Sequence, residues 1–303
     1  MRNGRSEKRI MVKDLVAKAK RVWEDGLRII REKDGEKFLF LGPRASGKTV
    51  FFVCAARMLQ YRLGQRKKAR FSEADETSRA YLHASLEKMR IGKWPDKTQF
   101  GHEISCETVV PRRPIPFLPP AYDEQMVLSC VDYPGDAWTY AFHRRGDDAA
   151  IGQYADELKE HVVRADGIFL LLDSVVLHDI IYNSRRENDE WDHFSASLFG
   201  MAKELAAISR ERRLRLAIVF CKRDRFDGVP FDPEAAFRRV APGAYDTLRQ
   251  LDSRCFFVSS VGRTITDARG EPVPPVGFCP EYDENPSLLE PLVWMLRLRP
   301  EDV

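Results

Sequence analysis

Eight residues, Gly42-Pro43-Arg44-Ala45-Ser46-Gly47-Lys48-Thr49, stand between a short apolar run, Phe38 to Leu41, and an apolar stretch with helical spacing, Thr49 to about Leu63. The pattern GxxxxGK(S/T) in this setting reads as strand, glycine-bearing loop and helix, and few folds hold that sequence of elements. Its physical logic is the wrapping of a polyanion. Backbone N–H groups and a helix N-terminus face the negative charge, and glycine lets the backbone come close. Lys48 is expected to neutralise β- and γ-phosphates, and the Thr49 hydroxyl to bind magnesium. Gly42, Arg44, Ala45, Ser46, Gly47, Lys48, Thr49 and Val50 are therefore the candidate phosphate-binding residues.

Further apolar strands are expected at Met126 to Val131, Gly167 to Leu172, Leu214 to Phe220 and Cys255 to Val258, with helical stretches between them. Such alternation predicts an α/β fold with a mainly parallel sheet and helices on both faces. A basic amphipathic helix is expected within residues 1–34, followed by one large domain over 35–303. Two regions look added to a minimal domain: a charged, helical insertion at about 66–93, and a long loop rich in Pro and Gly at about 262–283. The chain is expected to close with a helix from Ser287 to Leu298.

Three more motifs fall at strand ends. Val127 to Val131 runs into Asp132-Tyr133-Pro134-Gly135, a DxxG in which Asp132 is placed to hold magnesium through water and the Gly135 N–H to sense a γ-phosphate. Pro134-Gly135 is also an ordinary turn. Leu216 to Phe220 runs into Cys221-Lys222-Arg223-Asp224, a variant of (N/T)KxD. There Asp224 could accept from guanine N1 and N2 while the Lys222 stem lies along the ring. Adenine has no matching donors, so the pairing discriminates between the bases. Cys221 departs from the pattern, because a thiol cannot tie to the phosphate loop as a side-chain amide does. Finally Ser259-Ser260-Val261 follows an apolar strand and is similar to a loop whose backbone N–H reaches guanine O6. Loops at the carboxyl ends of parallel strands converge on one site.

With GPRASGKT at 42–49, GKWPDKT at 92–98, DYPGDAW at 132–138, CKRD at 221–224 and SSVG at 259–262, the chain resembles translation-factor-related (TRAFAC) P-loop GTPases, and among them the bacterial YcjX-like and double-GTPase families. The resemblance spans about residues 37–298 and implies a GTP/GDP- and Mg²⁺-binding switch. It makes Thr98 the candidate first-switch threonine, closing on magnesium and the γ-phosphate; a helix or strand cap is the alternative reading. Two departures bear on hydrolysis. Asp136 follows DxxG where related enzymes carry a glutamine that orients water, so a carboxylate of shorter reach stands beside the phosphates. Arg44 holds a loop position where many such proteins have glycine, from which it could act on the transition state or obstruct it. Arg144 and Arg145 are alternative sources of that charge.

Composition narrows the remaining function classes. Lys and Arg total 49 against 46 Asp and Glu, and this near balance gives no signal for a nucleic-acid partner. Six cysteines without CxxC or Cys/His spacing read as reduced core thiols. No apolar run approaches the roughly 20 residues of a membrane span, and no apolar core follows the basic N-terminal residues, so a cytoplasmic location is expected. Membrane contact is expected only through the basic N-terminal helix, and a protein partner or activator is expected. Two rivals to a slow GTPase stand: a nucleotide-holding scaffold without useful turnover, and a P-loop ATPase or kinase.

Overall fold

Alternation along the strands decides the architecture. In β1 (Glu36–Leu41), Phe38 and Phe40 point to one side of the sheet and Leu39 and Leu41 to the other, and all four are buried. The same division holds in β5 (Gly167–Asp173) and β6 (Arg215–Cys221), which are apolar on both faces. Strands of this kind cannot face water on either side and must be covered twice. The structure, a computed structural model, describes residues 36–43, 45–65, 70–73, 75–96, 103–112, 122–131, 141–142, 149–182, 188–280 and 285–298. The expected N-terminal helix lies outside these residues.

A seven-stranded sheet has the order β2-β3-β4-β1-β5-β6-β7, with β2 at Arg70–Glu73, β3 at Glu103–Arg112, β4 at Tyr122–Val131 and β7 at Asp252–Phe257. Strands β1, β5, β6 and β7 run parallel, with Phe38 opposite Gly167 and Asp173 opposite Cys221. Strands β2, β3 and β4 form an antiparallel wing. Within the stretch expected to be a helical insertion, residues 70–73 form β2, and the helix itself is α2 (Glu76–Arg90), capped by Asp75, whose carboxylate accepts from the Ser78 N–H at 2.6 Å. The period of the charged stretch is helical only from Glu76 onward. The long loop at 262–283 contains a small hairpin, β8 (Ile265–Thr266) with β9 (Pro272–Val273).

Helix α1 (Lys48–Gly64), with α2 and α8 (Pro286–Met295), covers one face. Helices α3 (Ala149–Arg164), α4 (Ser174–Tyr182), α5 (Asn188–Glu211), α6 (Pro233–Val240) and α7 (Pro242–Arg249) cover the other. No helix among the described residues is long and apolar enough to cross a membrane. Helix α1 is apolar around most of its circumference because it lies between the sheet and α2 and α8. It is seated by rings: Phe40 stacks on Phe169 at 4.6 Å and meets Phe52 edge-on at 5.1 Å, and Phe51 leans on both. Such aromatic pairs add roughly 0.5–1.5 kcal/mol each beyond the area they bury. They fix the start of α1, and hence the glycine-bearing loop, against β1 and β5.

The order of the strands locates the site. From β1 the chain crosses to β2 at the far edge of the sheet, builds inward through β3 and β4 until it lies beside β1, and then places β5 on the other side of β1. The helix after β1 packs on one face and the helix after β5 on the opposite face, so the two connections part at their strands' carboxyl ends. A crevice at such a point is where open α/β sheets bind ligands.

Candidate functional site

The loop between β1 and α1 turns inside that crevice. A Cβ built on Gly42 would lie 2.3 Å from the Leu171 carbonyl oxygen of β5, so only a hydrogen fits there. Ala45 and Gly47 take positive φ, 62° and 92°, which turns the chain back on itself ahead of the helix. Gly47 caps α1 with no side-chain hydrogen bond, and the first turn of the helix carries no acidic residue. No acidic side chain of the first turn therefore competes with an outside anion for the positive end of the helix dipole. The Ser46 hydroxyl is buried and makes no hydrogen bond among the described residues, an orphan that an acceptor entering the loop would satisfy. Lys48 is buried too, and its Nζ donates to the Gly42 and Pro43 carbonyls at 2.9 Å each. Its ammonium therefore bridges the mouth of the loop. A backbone cradle, a helix N-terminus and a lysine together fit a polyphosphate. Thr49 opens α1 beside Lys48, and its hydroxyl is a hard oxygen donor of the kind magnesium takes. Arg44, Thr98, Asp132, Gly135, Asp136, Arg144 and Arg145 lie outside the described residues.

The second half of the site hangs from β6. Cys221 ends the strand, Lys222 takes a left-handed conformation with φ 67°, and Arg223–Phe226 close one 3₁₀ turn. A non-glycine residue held at positive φ needs local compensation. Here the Arg223 N–H donates to the Val258 carbonyl at 3.1 Å, and Lys222 Nζ pairs with Asp173 Oδ2 at 2.5 Å. Asp173 is opposite Cys221 in the β5–β6 register, which brings the next residue, Lys222, within its reach. The other Asp173 oxygen caps α4, accepting from the Val175 and Val176 N–H groups. Sequence reasoning missed Asp173, although it is the first polar residue after an apolar run and so could have been picked out.

Cys221 joins the two halves. A Cβ built on Gly47 would lie 3.7 Å from the Cys221 Cβ and 3.9 Å from its Sγ, so the thiol stands beside the glycine-bearing loop with room for little more than a methyl group between them. The residue is fully enclosed; its thiol is pushed well above the ordinary range by burial first, and then by the Asp173 carboxylate. It behaves as a neutral, apolar spacer.

Asp224 projects into a cavity of about 280 Å³ bounded by Arg223, Ser259, Gly262, Asn285 and Ser287. Both carboxylate oxygens accept hydroxyl hydrogen bonds, from Ser259 at 2.7 Å and Thr264 at 2.9 Å. Ser259 is in turn braced by α8: its carbonyl accepts from Asn285 Nδ2, and its N–H donates to Ser287 Oγ at 3.4 Å. The Ser259 N–H is thus engaged within the protein, while its hydroxyl serves Asp224. Among the residues expected to meet a base, Asp224 and Ser259 line this cavity, with Ser260 and Val261 following in the same loop, while the Lys222 head group is engaged with Asp173. Thr264, Asn285 and Ser287 carried no sequence signal, because they lie 40 to 63 positions from Asp224 and act only through the fold.

No family model and no curated protein matches this chain. Among solved structures, the chain is similar to the signal recognition particle receptor SRb-GTP/SRX complex from Chaetomium thermophilum, at 13% identity and a TM-score of 0.42, over 78% of this chain and 94% of that one. It is also similar to the Ski7 GTPase-like domain of S. cerevisiae bound to GTP, at 12% identity and a TM-score of 0.41, over 87% of this chain and 50% of that one. A third likeness, at 12% identity and a TM-score of 0.35, is to a GTP-binding protein from Sulfolobus solfataricus in complex with GDP, over 85% of this chain and 56% of that one.

Proposed function

We propose that this chain binds a guanine nucleoside di- or triphosphate with magnesium, hydrolyses the triphosphate slowly, and serves as a nucleotide-controlled switch. The observation that carries the reading is the close approach of Cys221 to Gly47, which brings the expected base-reading turn beside the phosphate-wrapping loop. A ligand with a polyanion at one end and a planar hydrogen-bonding edge at the other spans both. The phosphate chain lies along the loop N–H groups. Lys48 exchanges its two loop carbonyls for β- and γ-phosphate oxygens, and Asp224 accepts from the base. Thr49 and Asp132 would hold magnesium, which would supply charge neutralisation to the phosphate chain. Arg44 or Lys48 stabilises charge as water attacks in line, and Gly135 and Thr98 report the γ-phosphate by ordering their loops.

A second reading, a nucleotide-holding scaffold without turnover, is favoured by Asp136 in place of a water-orienting glutamine. Single-turnover hydrolysis with and without candidate activating proteins separates the two. For the principal reading, the nucleotide that co-purifies with the protein is identified, and calorimetry then compares GTP with ATP in wild type and Lys48→Ala. Preference for GTP is expected, together with a loss of about 3 kcal/mol, on the order of a hundredfold in Kd, in the variant. Equal binding of GTP and ATP, or an unchanged variant, rejects the reading.

A further inference from the structure

The Asp224 carboxylate is held from two directions, and only one of its holders belongs to the strand-end loop in which base-reading residues were expected. Ser259 Oγ donates to Oδ1 at 2.7 Å from that loop. Thr264 Oγ1 donates to Oδ2 at 2.9 Å from the stretch leading into the β8–β9 hairpin. An ionised carboxylate offers about four acceptor positions, two on each oxygen. Two hydroxyl donors, one on each oxygen, leave one position on each. That is the number a guanine edge needs for its N1–H and its exocyclic amine.

Thr264 is offered from a braced loop. Asp267 Oδ1 closes the hairpin by accepting from the Arg269 and Glu271 N–H groups at 2.8 and 2.9 Å. Trp94 Nε1 donates to the Pro272 carbonyl at 2.8 Å, and the Gly277 N–H to the Arg90 carbonyl at 2.7 Å. The loop is thereby stapled to the end of α2, and its first residues are held over the base cavity.

We propose that Thr264 is a positioning residue for base recognition: its hydroxyl fixes the plane of the Asp224 carboxylate so that the remaining acceptor position on each oxygen faces a guanine edge. The inference rests on the reading of Asp224 as the base-reading residue. With Thr264 removed, the carboxylate turns about its broad terminal torsion on the single bond to Ser259. The two acceptors then no longer meet both donors at once.

The test measures binding of GDP, ADP and inorganic tripolyphosphate to the full chain in wild type, Thr264→Val, Thr264→Ser and Asp224→Ala. Thr264→Val keeps the shape and deletes the donor. It is expected to weaken GDP about tenfold, the scale of one buried hydrogen bond, and to leave tripolyphosphate unchanged. Thr264→Ser restores the donor and is expected to recover GDP binding. If Thr264→Val binds GDP like wild type while Asp224→Ala loses the preference for GDP over ADP, the role of Thr264 is rejected and the base reading survives. If Asp224→Ala keeps the wild-type preference, the base reading fails and this inference with it. Equal loss of GDP and tripolyphosphate in Thr264→Val, or no recovery in Thr264→Ser, shows that the residue only supports the loop and overturns the positioning role.

Discussion

At the residue scale, Asp224 carries the strongest chemical consequence of the proposed function, under which its two oxygens select the base edge that enters the cavity. Replacing it by Asn turns one acceptor into an amide donor. Guanine then presents a donor to a donor, whereas xanthine, with a carbonyl in place of the exocyclic amine, meets that amide with the polarity reversed. Asp224→Asn is expected to favour xanthosine triphosphate over GTP, by about 1–3 kcal/mol for each buried hydrogen bond broken or repaired. Competition of both nucleotides against a fluorescent triphosphate measures the shift, and an unchanged ranking would mean that the turn after β6 does not read the base. The two hydroxyls on Asp224 bear on this outcome, since Ser259 and Thr264 can rotate their hydrogens away and accept from the new amide. Lys222 works differently. Its head group pairs with Asp173, so the aliphatic stem is stretched between the left-handed backbone of the turn and the end of β5.

At the element scale, the loop between β7 and α8 is the part of the chain where composition misleads most. Its Pro and Gly content reads as an unstructured connection, yet it contains a hairpin held by Asp267 and stapled to Trp94 and Arg90. The same staple bears on the segment that leads toward Thr98. Lys93 N–H donates to the Lys88 carbonyl at 2.9 Å, and Asp96 pairs with Lys88 and accepts at its carbonyl from Tyr81 at 3.4 Å. Residues 91–96 are thus tied to α2 on one side and to the hairpin on the other. Trp94→Phe removes one hydrogen bond at a half-exposed site, worth on the order of 1 kcal/mol. Backbone amides of residues 265–273 are expected to exchange with solvent up to about fivefold faster in the variant, with those of β5 unchanged. Mass-spectrometric hydrogen exchange checks this; uniform acceleration across the sheet would point to global destabilisation instead.

For the whole molecule, the two apolar layers make stability sensitive to any charge created inside them. Two thiols on the last two strands of the sheet, Cys221 at the end of β6 and Cys255 in β7, supply such a group at alkaline pH. Burial raises Cys221 far above the ordinary thiol value of 9.0, and burial together with Glu234 raises Cys255 to about 12. A thiol whose folded value is raised holds its proton more firmly in the folded state than in the unfolded one. Its contribution is therefore complete below the unfolded value and is lost as pH climbs toward the folded one. The thermal midpoint is expected to fall progressively above pH 9, and to fall less steeply in Cys221→Ala. Scanning calorimetry between pH 7 and pH 10.5 measures both. A flat profile, or identical slopes in the two proteins, would show that Cys221 is not enclosed as described.

The sequence by itself determined the strands and the loop that need only local information. Phe38 to Leu41, Gly167 to Leu172 and Leu214 to Phe220 are apolar on both faces, and only a doubly covered parallel strand satisfies such runs. GxxxxGK(S/T) requires its glycines because the chain must turn at positive φ and pass within contact of β5, and both requirements are written into residue type. Strands β2 and β3 were not legible, since they lie toward the sheet edge, β3 pairing with β4 and β2 with β3, and β2 is only four residues long. The base side divides in the same way. Lys222 and Asp224 could be found because they share one turn, whereas Asp173, Thr264 and Asn285 are joined to them by strand register and by a staple to a distant helix. Hydrogen bonds across 26 to 49 positions leave no local spacing to read. They exist only because the sheet brings the carboxyl ends of β5, β6 and β7 to one edge, and that arrangement is a property of tertiary packing alone.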